Sequence, residues 1–170
     1  MVGLTRSTES AVKRKLAEKV LRLATRDLAG LGFERTKPAF WVQRQPHRLN
    51  FFHIHLFRFG PQLRVHCGIR VLNDAFEAEA LNGIDSDAFA DYDLSFADDA
   101  EAVARCASEV VRFCTEKGLP WFAKWSDPNA LVGSAESPLL PDQRVALSEA
   151  LHGRANPDLV QASERLFKVG

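Results

Sequence analysis

Apolar residues recur every three or four positions along 9–30, where Leu16, Val20, Leu21, Ala24, Leu28 and Leu31 form one stripe. That period predicts an amphipathic helix. Lys13, Arg14, Lys15, Lys19, Arg22 and Arg26 fill the rest of its surface, Ser7 or Thr8 can cap it, and Gly30 with Gly32 ends it. The period then drops to two, predicting strands over about 39–44, 50–59 and 63–71. In the third, Leu63, Val65, Cys67, Ile69 and Val71 share one face, and Arg64, His66 and Arg70 the other. In the second, Phe52, Ile54 and Leu56 oppose Phe51, His53, His55, Phe57 and Phe59.

A turn centred between Gly60 and Pro61 brings the two apolar sets onto one face, with Ile54 against Cys67 and Leu56 against Val65. His55 then meets His66, Phe57 meets Arg64, and Phe51 meets Arg70. Residues 72–96 show little periodicity beyond the alternation of Tyr92, Leu94 and Phe96, which reads as a short strand. Ser95 and Asp98 stand at capping-box spacing before a helix running to about Lys117, with Val103, Cys106, Ala107, Val110, Phe113 and Cys114 inward and Gly118 and Pro120 as its stop. An aromatic knot follows (Trp121, Phe122, Trp125), then two short helices over 142–152 and 157–168, the second opened by Asn156-Pro157. The fold class is α+β in one domain, 1–170: an N-terminal helix, an antiparallel sheet of at least three strands, then C-terminal helices packed on the sheet.

Charge adds a second pattern. Residues 1–70 hold 14 Lys and Arg against 4 Asp and Glu, whereas residues 71–104 hold 10 acidic residues and no Lys, Arg or His. The remainder is balanced, and the chain sums to zero. Either the acidic segment 74–101 folds over the basic half, or both blocks are partner surfaces. With 46% hydrophobic residues and no apolar run near the roughly 18 to 20 residues of a membrane span, the expectation is a cytoplasmic protein without membrane contact. Cys67, Cys106 and Cys114 are too few and too scattered for a disulfide framework, and read as buried thiols.

The runs Leu28-Ala29-Gly30-Leu31-Gly32-Phe33, Phe40-Trp41-Val42, Asn50-Phe51 and Gly118-Leu119-Pro120 carry a resemblance. Over about 15–125 the chain is similar to a bacterial family catalogued as domain of unknown function 4304. That likeness implies a fold and transfers no activity. Where the family often has Gln and Lys after its Asn-Phe step, this chain has Phe52-His53-Ile54-His55.

The candidate binding face comprises Trp41, Phe51, His53, His55, Phe57, Arg64, His66 and Arg70. It mixes aromatic, basic and imidazole groups on one side of a sheet. Three imidazoles at His53, His55 and His66 are what a catalytic zinc site would need, leaving a position for water. The positive charge of Arg64 and Arg70 argues against a cation, so no metal is expected there. No Gly-rich phosphate loop, Cys-x-x-Cys or His-Glu-x-x-His motif occurs, and no cofactor or catalytic residue is assigned. The leading expectation is a non-catalytic domain binding a protein or small molecule. A metal-dependent hydrolase on the three histidines comes second, and single-stranded nucleic-acid binding by stacking on the aromatic face third.

Overall fold

The computed structural model describes residues 2–170, and their side chains from residue 7 onward. Helix α1 (Val2–Gly30) is followed by four strands, β1 (Glu34–Lys37), β2 (Phe40–Gln45), β3 (Arg48–Leu56) and β4 (Leu63–Val71). They form an antiparallel meander in the order β1-β2-β3-β4. After a short 3₁₀ turn (Ser86–Ala88) come α2 (Ala100–Phe113), α3 (Leu119–Lys124), α4 (Pro128–Gly133), α5 (Pro141–Leu151) and α6 (Pro157–Phe167). The α+β class and the order of helix, sheet and helices agree with the sequence pattern.

The stripe of α1 lies in the main core: Leu16, Val20, Leu21, Ala24 and Leu28 are buried with Phe52, Ile54, Val65, Cys67 and Ile69 from the sheet. Burying side chains of this size contributes about 1.5–3 kcal/mol each. Val103, Cys106, Val110 and Phe113 of α2 complete this layer. On the sheet's other face a smaller core gathers Phe40, Val42, Leu49, Phe51, Leu72 and, from α6, Phe167. All three cysteines are free and buried.

Several expectations are corrected; helix α1 begins at Val2, upstream of Ser7 and Thr8, so neither of these caps it. The β3–β4 register is displaced by two residues, so that Ile54 pairs with Val65, His53 with His66, His55 with Arg64, Phe51 with Gly68, and Leu49 with Arg70. The hairpin is longer than two residues because Phe57 donates its backbone N–H to the Gln62 carbonyl (2.9 Å), leaving 58–61 as the loop with Gly60 at φ +78°. A shift of two leaves every side chain on its expected face.

A further correction concerns the start of α2. Asp99 is the cap, its carboxylate accepting from the Ala102 N–H at 2.7 Å, because the Ser95 hydroxyl already donates to Asp93 and Ser95 bridges to Gln62. Nor do Gly118 and Pro120 stop the helix. Residues 114–118 widen into a π turn that runs straight into α3. Pro120 sits in the first turn of α3, where its missing N–H is tolerated. Tyr92, Leu94 and Phe96 are buried in the main core, and Ser95 makes a single bridge rather than a strand.

The acidic segment lies along the outer edge of β4. The Leu63 N–H donates to the Leu94 carbonyl, Val65 to Ser86 Oγ, Cys67 to the Ile84 carbonyl and Ile69 to Asn82 Oδ1, all at 2.8–3.0 Å. An edge that would otherwise offer unpaired donors is thereby closed. Ion pairs join the two charge blocks: Glu79 to Lys37, Asp85 and Asp87 to Arg64, and Asp74 to Arg70.

Candidate binding surfaces

The expected binding face divides into a closed part and an open part. Trp41 is not on it. Because β2 pairs with β3 as Trp41 with Phe52, the indole shares the main core. It is fully buried there, and its Nε1–H donates to Thr25 Oγ1 at 3.0 Å. Phe51 is on the expected face but sealed in the smaller core, its ring lying over Gly68 and 4.9 Å from that of Phe167. Arg70 is 3% exposed. Its guanidinium donates to Ser163 Oγ and to the carbonyls of Asp74, Phe76 and Ala78 at 2.8–3.1 Å, so it staples the chain after β4 and α6 to the sheet. None of these three can meet a ligand.

What remains partly open is a strip formed by His53, His55, Phe57 and Arg64, with His66 buried beneath its edge. The alternation of β3 sends His53 and His55 to the same side, and β4 places His66 opposite His53. Ring centroids are 5.0 Å apart for His53–His55, 5.4 Å for His55–His66 and 6.1 Å for His53–His66. Phe40 and Phe57 extend the row at its two ends. The first two histidine contacts are stacked, with planes inclined by 28° and 12°. Stacked rings present faces to one another, whereas a shared ion needs their nitrogens to converge at about 2.0–2.1 Å from one point. Among the described residues no group of three His, Cys, Asp or Glu is placed to hold a metal ion.

Burial holds all three imidazoles below the ordinary histidine value. For His53 burial acts first, the neighbouring imidazoles and Lys37 add to it, and Glu79 opposes them, leaving a value of about 4. His55 and His66 are lowered by burial and then by the Arg64 guanidinium, against the pull of Asp85 and Asp87. At neutral pH the three imidazoles of the strip are therefore uncharged. Nδ1 of His53 and of His55 is buried without a hydrogen-bond partner in the protein. Arg64 lies 3.0 Å from Asp85 and 3.2 Å from Asp87, and Lys37 pairs with Glu79, so the cations beside the strip are already neutralised.

Nothing in this geometry resembles an activated nucleophile. The thiol of Cys106 is pushed up to about 12 by burial, and those of Cys67 and Cys114 rise in the same direction. Such thiols stay protonated and unreactive at neutral pH.

A second concave surface was not legible in the sequence. A groove of about 750 Å³ lies between residues 73–80 and the start of α5, with Phe76, Leu140 and Val145 at its lip. The signal that could have marked it is the pair of apolar residues Leu140 and Val145, which lie off the inward stripe of a short helix. No family model, curated protein or solved structure matches the chain. Among the described residues no helix is long and apolar enough to cross a membrane.

Proposed function

We propose that this chain is a small cytoplasmic, non-catalytic binding domain that takes a planar ligand group on the strip of His53, His55, Phe57 and Arg64. The observation that carries the reading is the row of uncharged, stacked rings, two of which keep a buried nitrogen with no partner. A flat aromatic or amide group adds to such a row by stacking, against the half-buried rings of His53, His55 and Phe57 and beside the Arg64 side chain. The nucleic-acid reading loses support from the charges. Arg70 is buried, and Arg64 and Lys37 face carboxylates, which leaves little to neutralise phosphates.

A saturation-transfer NMR screen of planar heteroaromatic fragments tests this. Hits are expected to broaden or shift the Cε1–H signals of His53 and His55, and to disappear in a His53→Ala/His55→Ala double variant that retains its fold. Fragments that bind equally well to the double variant, or no hits at all, would contradict the assignment.

A further inference from the structure

The groove against α5 is independent of the histidine strip and has a different chemistry. Its lip is apolar: Phe76 is 53% exposed, Leu140 64% and Val145 58%. Large apolar groups scattered singly over a surface need no explanation, but these three converge on one concavity. Every ionisable residue lining it is acidic, namely Asp74, Glu79, Asp142 and Glu149. Two of the four are already engaged. Asp74 is buried, accepts from Gln143 Nε2 at 3.1 Å and lies 3.8 Å from Arg70, while Glu79 pairs with Lys37. Asp142 and Glu149 are exposed, and neither side chain makes an ion pair within the described protein.

The spacing on α5 gives the acidic pair a direction. Asp142, Val145, Ala146 and Glu149 stand at i, i+3, i+4 and i+7, so they form one stripe along the helix. Seven residues separate the carboxylates by about 10 Å along the axis. An apolar centre with a negative group at each end is the complement of a helix built the opposite way.

We propose that this groove docks an amphipathic helix of another protein, carrying Lys or Arg seven residues apart on either side of two apolar side chains. Its apolar pair covers Val145, Phe76 and Leu140, and its cations reach Asp142 and Glu149. This is helix-in-groove recognition, with apolar anchors for affinity and charges for register. An anionic partner such as nucleic acid or an acidic lipid surface would meet only carboxylates here.

The test uses the full chain and a fluorescein-labelled peptide of Leu, Ala and Lys, about two heptads long, with Lys at the stated spacing around a Leu pair. A matching peptide with Glu in place of Lys serves as the control. In fluorescence anisotropy the Lys peptide binds and the Glu peptide does not, and added NaCl weakens binding. D142K/E149K lowers affinity for the Lys peptide about tenfold, as expected for two contacts turned from attractive to repulsive, and gains affinity for the Glu peptide. V145S weakens binding without altering the salt dependence. All these positions are exposed, so unchanged melting temperatures verify the fold of each variant. H53A/H55A binds the Lys peptide like the natural protein, which separates this surface from the strip. No binding of the Lys peptide, or equal binding by D142K/E149K, overturns the proposal. So does a self-associating species in sedimentation that V145S dissolves, since the groove would then belong to a second copy of this chain.

Discussion

His53 carries the clearest consequence of burial at the level of single residues. In the unfolded chain its imidazole titrates near the ordinary value of about 6.5. In the folded protein burial, the neighbouring imidazoles and Lys37 hold it down to about 4, and His55 and His66 move the same way. The unfolded state therefore binds more protons between these limits. The stability these histidines contribute is fully present above about pH 6.5, and is lost as pH falls from there through the folded-state values. Unfolding free energy from urea titrations should decline from about pH 7 to about pH 5, and His53→Gln should flatten that decline. An unchanged slope in the variant would mean that the ring is solvated in the folded state. That His53 and His55 share a face followed from strand alternation alone. The misplacement of Trp41 had a different origin: its face depends on the register across the turn at Pro46-His47, where His47 takes φ +64° and nothing in the local pattern reveals it.

At the scale of elements, Gly118 explains why one long helical run replaces the expected stop. A Cβ built there would lie 2.4 Å from Cε1 of Phe52, so the absence of a side chain is what lets the helix approach the sheet. The backbone widens into its π turn at this point of closest contact and then resumes as α3. Gly118→Ala should destabilise the protein by about 1–3 kcal/mol through overpacking. Gly133→Ala, at the end of α4 with nothing within 4 Å of the new Cβ, should change stability by less than about 0.5 kcal/mol. Comparable losses for the two in thermal or urea unfolding would show that Gly118 acts through backbone freedom and not through contact. The sequence marks a glycine and a proline here, and both read locally as breakers. Their actual role depends on Phe52, more than sixty positions away, which no local rule can supply. Asp99 displaces Ser95 as the cap of α2 for a similar reason, since Ser95 is engaged with Gln62 of the hairpin.

Across the whole molecule, the sorting of charge into blocks was legible, but where the acidic block goes was not. Residues 72–96 lack periodicity because they are neither helix nor regular strand. They follow the edge of β4 through single contacts from Asn82, Ile84, Ser86 and Leu94, while Asp85, Asp87 and Glu79 pair with Arg64 and Lys37. Exposed pairs of this kind contribute only about 0–1 kcal/mol each. The edge hydrogen bonds and the buried Tyr92, Leu94 and Phe96 hold the segment in place. This closure neutralises the sheet's cations and leaves the partly open histidine strip and the α5 groove as the accessible surfaces. Residue-resolved amide hydrogen exchange tests it directly. The N–H groups of Leu63, Val65, Cys67 and Ile69, all on the outer edge of β4, should exchange slowly, and Asn82→Ala should accelerate Ile69 while leaving Leu63 protected. Exchange of all four at the rate of free amides would mean that the acidic segment does not close the edge.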